Sequence, residues 1–204
     1  IEPNLLTDEI IDFVASSKKF MPHFHIPLQT GVDRLLRAMR RKYDTALYRS
    51  RVEHIKAVMP NACIGVDVIV GFPGETDEDI QRTASFLQDL QVSYLHVFTY
   101  SERQNTRAPQ LADPVPVQKR RERNYILRNI SDRLTKQFYR EQENHTFPVL
   151  WEEGDAKDDW MYGYTSNYIR VRARREEPNF GGISSVALNQ FLEEEGVYLM
   201  DKPL

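Results

Sequence analysis

Ile64-Gly65-Val66-Asp67-Val68-Ile69-Val70-Gly71-Phe72-Pro73-Gly74-Glu75-Thr76 is the stretch that decides the fold. Ile64, Val66, Val68 and Val70 share one parity, while Gly65, Asp67 and Gly71 share the other, interrupted by Ile69. Side chains alternate faces along a strand, so this segment has one apolar face and one polar or small face. Two other segments read the same way. In His23-Phe24-His25-Ile26-Pro27-Leu28-Gln29 the apolar set is Phe24, Ile26 and Leu28; in Leu95-His96-Val97-Phe98-Thr99-Tyr100 it begins with Leu95 and Val97. A parallel sheet covered by helices on both faces would be apolar throughout. The alternation therefore predicts a barrel-like sheet whose second face lines a lumen.

Each strand is followed by a turn and a helical pattern. Helices are predicted at about 8–17, 32–39, 45–59 and 76–90, with strands at 22–28, 63–70 and 94–100. Thr7 suits an N-cap, and Thr76-Asp77-Glu78-Asp79 opens like a capping box. Strands alternating with helices imply right-handed parallel βαβ units. Residues 117–143 read as one long helix, which between 117 and 140 carries Lys119, Arg120, Arg121, Arg123, Arg128, Arg133, Lys136 and Arg140 against Glu122 and Asp132. Beyond it, short strands at 147–153, 160–165, 167–173, 183–188 and 196–200 predict a small closed β-barrel. The fold class is α/β: the later half of a partial (β/α) TIM-like barrel over 1–143, then a small five-stranded antiparallel β-barrel of OB-like type over 144–204.

With 41% hydrophobic and 28% charged residues, the composition is that of an ordinary globular protein. No apolar run approaches the roughly 20 residues that span a bilayer, so no membrane partner is expected. The single cysteine, Cys63, excludes an internal disulfide and suits a cytoplasmic location. The chain opens on Ile1 in the middle of a βα unit, the expectation for a piece of a longer protein.

Barrels of this kind carry their chemistry at the C-terminal ends of the strands. There, the turn bounded by Gly71 and Gly74 lets backbone approach a ligand, and Phe72, Phe98 and Tyr100 offer flat walls for a base. A tight turn with Glu75 assisting a helix N-terminus is the alternative. His23 and His25 share a strand face, but no third ligand accompanies them, so no metal site is expected.

His23-Phe24-His25-Ile26-Pro27-Leu28-Gln29, Met39-Arg40-Arg41-Lys42-Tyr43, Asp67 to Thr76 and Tyr100-Ser101-Glu102-Arg103 together resemble the radical S-adenosylmethionine methylthiotransferases in order and spacing. Trp151-Glu152-Glu153 and the run Gly163 to Val171 resemble that family's RNA-binding TRAM domain. The resemblance implies an enzyme that inserts sulfur at a C–H bond and methylates it, using S-adenosylmethionine and two [4Fe–4S] clusters in the full-length parent. Gly65 to Gly71 and Leu95 to Arg103 look most like the branch acting at C2 of N6-threonylcarbamoyladenosine beside the tRNA anticodon. The isopentenyladenosine branch is the alternative; a branch modifying a ribosomal aspartate ranks lower. Carried over residue by residue, the cofactor wall is Gln29, Gly71, Phe72, Phe98 and Tyr100. Asp67 and His96 point into the lumen to position cofactor or substrate, or pair as a structural hydrogen bond.

The departure from the family is its cysteines. The family's radical-generating cluster needs three thiolates in a CxxxCxxC arrangement and its auxiliary cluster three more, and Cys63 is alone. No cluster is expected on this chain, the catalytic assignment is empty, and the missing N-terminal half becomes the expected partner. The other expected partner is the anticodon stem-loop of tRNA. It would be gripped by Tyr164, Asn167, Tyr168, Arg170, Arg172 and Arg174, with Arg120 and Arg121 from the long helix. Residues 144–204 hold eleven acidic residues against six basic ones, so the positive charge for this task is local. A solvated surface, or a stand-alone RNA-binding module without catalysis, are the competing readings.

Overall fold

The computed structural model describes residues 1–103, 108, 111–152, 159–174 and 182–200. Glu153 and part of the charged set counted over 144–204 lie outside them. Strands β1 (His23–His25), β2 (Cys63–Val70) and β3 (Tyr94–Thr99) form a parallel sheet in that order. Its register sets Phe24 beside Ile64, Val66 beside Leu95 and Asp67 beside His96. Ile64, Val66, Val68 and Val70 are buried, whereas Asp67 and Ile69 are only partly so. The alternation read from the sequence is thus the alternation of the sheet.

The covering helices are α1 (Asp8–Ser16), α2 (Asp33–Ala38), α3 (Thr45–Val58), α4 (Asp77–Leu90) and α5 (Val117–Glu141). Thr7 caps α1, Asp44 caps α3, and Thr76 with Asp79 closes a complete capping box on α4. Ile11, Val52, Ile55 and Leu87 pack with Leu127, Ile130 and Leu134 of α5 on the apolar face of the sheet. Each such side chain contributes about 1.5–3 kcal/mol by leaving water. Among the described residues, no helix is long and apolar enough to cross a membrane.

The second sheet contains β4 (Thr146–Trp151), β5 (Trp160–Thr165), β6 (Arg170–Arg174), β7 (Ile183–Ala187), β8 (Gln190–Leu192) and β9 (Val197–Met200), ordered β7-β4-β5-β6-β9-β8. Two details differ from the expected five antiparallel strands. A sixth, β8, is three residues long and too short to show a period. β6 and β9 run parallel, because the chain crosses from one edge of the sheet to the other between them. The edge strands β7 and β8 are separated only by Leu188 and Asn189, so the chain itself joins the two edges. Leu188 remains paired with Asn144 and His145, whereas β8 pairs with β9.

The two sheets share a junction. The second core contains Cys63 from the start of β2 and Phe138 and Tyr139 from the end of α5, packed with Val149, Trp151, Met161 and Tyr198. The Tyr198 hydroxyl donates to the carbonyl of Tyr139 at 2.8 Å, and the Tyr139 hydroxyl accepts from the Arg170 amide at 3.0 Å. Asn167, expected to touch RNA, is fully buried here instead. Its amide donates to the Asn61 carbonyl (2.9 Å) and Gln142 Oε1 (3.3 Å), and its oxygen accepts from Thr165 Oγ1 (2.6 Å). The amide is fully used in latching the β5–β6 turn to the barrel. Asn167→Ala leaves these partners buried and unsatisfied, and should lower stability by about 2–3 kcal/mol in urea unfolding. A change below about 0.5 kcal/mol would contradict the latch.

Candidate functional site

At the C-terminal ends of β2 and β3 lies a cavity of about 900 Å³, lined by Gln29, Met39, Arg40, Asp67, Ile69, Phe72, Phe98, Tyr100 and their neighbours. That size accommodates a nucleoside-sized ligand. Gln29 is a residue other than glycine in the left-handed region, at φ 72°, and is buried. The strain, of order 1–3 kcal/mol, is held because the Leu28 and Gln29 amides both donate to the Asp67 carbonyl while the Gln29 carbonyl accepts from Ile69. Gln29 thereby lines the cavity. Phe72 and Tyr100 meet edge to face, with centroids 5.6 Å apart, and half-exposed Phe98 completes an aromatic wall.

Two of the expected ligand groups stand elsewhere. Gly71, at φ 81°, does not line the cavity: its amide donates to Glu75 Oε1 at 2.7 Å, and the stem of Arg120 covers its Cα. A Cβ there would fall 2.3 Å from Arg120 Cγ, so the glycine serves the helix contact rather than a ligand. His96 also lies outside the cavity lining, one residue pair further down β3 toward its N-terminus.

Arg120 is likewise corrected. It is buried behind the wall and does not face solvent, so it is not an RNA contact. Its guanidinium donates to the carbonyls of Val115 (2.7 Å) and Tyr100 (3.0 Å) and to Glu102 (2.6 Å), and lies 5.3 Å from the Tyr100 ring. Arg123, three residues on, bridges buried Glu75 (2.7 Å) and Asp77 (2.7 Å). Burial pushes the Glu75 carboxyl up, opposed by the Gly71 amide and the Arg123 guanidinium. Hydrogen bonds from Arg123 and Lys119 hold Asp77 below the usual carboxylate range. The turn between β2 and α4 is therefore clamped to α5. The signal for this was present: Arg120 and Arg123 fall on the helix stripe that continues through Leu127, Ile130, Leu134 and Phe138.

Asp67, which lines the cavity, also belongs to a polar layer on the lumen face. His25 Nε2 lies 2.9 Å from Asp67 Oδ1, and the His25 and His96 rings are 5.4 Å apart. Ring nitrogens of both histidines and the Asp67 carboxylate lie within 4.8 Å of one another, near enough to share an ion. The sequence reading found no third ligand beside His23 and His25; the structure assembles a different trio. It also pairs Asp67 with His25 rather than with His96. His23 instead bonds the Tyr94 hydroxyl (2.9 Å) and stacks on Tyr168 at 4.4 Å, and burial pushes its pKa down. Gly65 is required beneath this layer, since a Cβ would fall 2.3 Å from the Tyr94 ring.

The expected RNA-facing residues fall mostly on one sheet surface. Trp160, Tyr162 and Tyr164 of β5 lie opposite Arg174, Arg172 and Arg170 of β6. Arg170 sits over Tyr162 at 4.6 Å, and Arg172 over Trp160 at 4.6 Å. Arg172 is also paired with Glu195. Exposed Tyr168, at φ 69°, stacks on Tyr164 at 4.9 Å. Trp160 and Tyr162 went unnoticed in the sequence reading, although they share the parity of Tyr164. On α5, Arg121 and Arg128 are exposed on either side of Tyr125, which is 69% exposed. Asn124 donates to the Val97 carbonyl (3.2 Å) and Thr99 Oγ1 (3.1 Å), so this stripe flanks the open edge of β3.

The model of the radical SAM superfamily matches residues 1–87. Coproporphyrinogen III oxidase (HemN) of Escherichia coli shares the fold, with a TM-score of 0.54 and 13% identity over 81% of this chain and 45% of that one. The class is thus a radical SAM barrel. The threonylcarbamoyladenosine tRNA methylthiotransferase MtaB of Bacillus subtilis is 37% identical over 191 residues, 92% of this chain and 42% of that protein. The tRNA-2-methylthio-N(6)-dimethylallyladenosine synthases of Kineococcus radiotolerans and Bacillus velezensis are 37% and 34% identical, over 77% and 92% of this chain. The chain belongs to the radical SAM methylthiotransferase family. It spans less than half the length of these relatives, 42%, 31% and 37% respectively.

The residues present fit one of the family's cofactors and not the other. A strained Gln29 lining the cavity beside an aromatic wall suits the nucleoside of S-adenosylmethionine. Cys63 does not suit a cluster: it is buried in the second core, and its thiol is pushed up to about 12 by burial. At pH 8 it is almost wholly protonated and shielded, so a chromogenic disulfide reagent should label it only after denaturation. Fast labelling of the native chain would contradict this placement. Arg123→Ala, which strands Glu75, should cost about 3–5 kcal/mol in urea unfolding, against less than about 0.5 kcal/mol for Arg121→Ala. Equal effects would contradict the clamp.

Proposed function

We propose that this chain forms the later barrel strands and RNA-gripping part of a tRNA methylthiotransferase acting on N6-threonylcarbamoyladenosine beside the anticodon. The observation that carries the reading is the lumen. A nucleoside-sized cavity with a strained Gln29 and an aromatic wall adjoins a polar layer of His25, Asp67 and His96. The relative of that specificity matches 92% of the chain. In this reading, 1–143 supplies the cofactor wall and 144–204 the RNA module, in the cytoplasm, with a cysteine-bearing half of the same protein as partner. When bound, S-adenosylmethionine supplies the methyl group and the deoxyadenosyl fragment. Gln29 holds its polar end, and Phe72, Phe98 and Tyr100 exclude water from its base. Because Cys63 cannot serve a cluster, this chain by itself is proposed to be inactive.

RNA contact is assigned to Arg121, Tyr125 and Arg128 on the helix and to the Arg170, Arg172 and Arg174 ladder with its aromatic partners, including Tyr164 and Tyr168. Arginines supply phosphate contacts and rings supply stacking. The test is deletion of the gene followed by mass spectrometry of tRNA nucleosides. Loss of 2-methylthio-threonylcarbamoyladenosine, with its unmethylthiolated precursor accumulating, is expected. Loss of the methylthio-isopentenyl nucleoside instead would support the alternative branch. An unchanged nucleoside profile would overturn both and leave a binding module.

A further inference from the structure

We propose that His25, Asp67 and His96 form a binding subsite for the polar N6 substituent of the target adenosine, adjoining the cofactor cavity through Asp67, which lines both. The proposal rests on the function just given and names which part of the substrate this layer reads. The three side chains occupy neighbouring positions across β1, β2 and β3, with Asp67 and His96 paired in register. Residues two apart on a strand are about 6.6 Å apart, so the trio lies about that far below Phe98 and Ile69.

The chemistry of the trio matches this assignment. His25 Nε2 covers one oxygen of Asp67, which fixes the carboxylate and leaves its other oxygen to accept from amide or hydroxyl hydrogens. His96 is exposed to the lumen and held only by ring contacts with Tyr94 (5.1 Å), His25 (5.4 Å) and Phe98 (6.5 Å). Its nitrogens have no hydrogen-bond partner among the described residues, so an N–H is available to a substrate carboxylate. A threonylcarbamoyl group offers a urea N–H, a hydroxyl and a carboxylate. An isopentenyl group offers none of these, and binding it would strand the trio's polar atoms without partners. A site built to hydrogen-bond a substituent discriminates strongly against one that cannot respond. Tyr94 and Gly65 form the floor beneath, where the ring fills the space a larger side chain would take.

The experiment uses the full-length gene product. Anticodon stem-loop oligoribonucleotides carrying threonylcarbamoyl-adenosine, isopentenyl-adenosine or plain adenosine are titrated by fluorescence anisotropy. The wild type should prefer the threonylcarbamoyl loop at least about 10-fold over the isopentenyl loop. His96→Phe, which keeps the ring packing, should erase most of that preference with an unchanged melting temperature, while His96→Gln, which keeps a donor, should retain part of it. Binding of S-adenosylmethionine should be unaffected, since His96 lies outside its cavity. Full preference surviving in His96→Phe would overturn the subsite. So would a preference abolished by a chelator and restored by zinc, which would make the trio a metal site. Equal wild-type binding of both modified loops would sink the subsite alone. No binding of any loop would overturn the function it rests on as well.

Discussion

Helix α5 is a member of two cores at once, and the rest of the structure depends on that constraint. Its inward stripe begins at Arg120 and Arg123, continues through Leu127, Ile130 and Leu134, and ends at Phe138 and Tyr139. At 1.5 Å per residue the helix is about 37 Å long, enough to run from the mouth of the cavity to the small sheet. One rigid rod therefore fixes where the lumen lies relative to the Arg170–Arg174 strand. The polar start of the stripe sets the register. Buried Glu75 accepts from Arg123 and from Gly71, so a shift of α5 by one turn would leave a carboxylate buried without a counter-charge. Such a pair adds little to net stability, but breaking it is costly, which suits a device for alignment.

The junction has a second consequence. Cys63, Asn61 and Asn167 tie the N-terminal end of β2 to the small sheet, and Tyr168 stacks on His23 of β1. A continuous line of rings, Tyr164, Tyr168, His23 and Tyr94, thus leads from the outer face of the second sheet to the lumen. The surface assigned to RNA and the cavity assigned to cofactor are parts of one connected surface.

Much of this was legible in the residues. Strand parity gave the buried and lumen faces correctly, because a two-residue period survives in any half-buried strand. Thr7 and Thr76 marked helix starts because their side chains cap locally. Long-range partners were not legible. Nothing local distinguishes Asn167 in a turn from a surface asparagine, yet its three partners come from distant parts of the chain or across the turn. Charge misled for Arg120, which counted as part of a basic surface although its helical position placed it on the buried stripe. For Gly71, a glycine beside a predicted cavity was read as serving a ligand, whereas Arg120 occupies the space above it.

Lumen and second sheet are joined in one face. Ultraviolet cross-linking of tRNA to the full-length gene product, with mass-spectrometric mapping of the attached peptides, tests it most directly. Cross-links are expected at Tyr125 of α5, at Trp160, Tyr162, Tyr164 or Tyr168 of the second sheet, and at Phe98 or Tyr100 beside the cavity. Cross-links confined to the outer helices, at Phe13 or Phe20 with none on these rings, would contradict it.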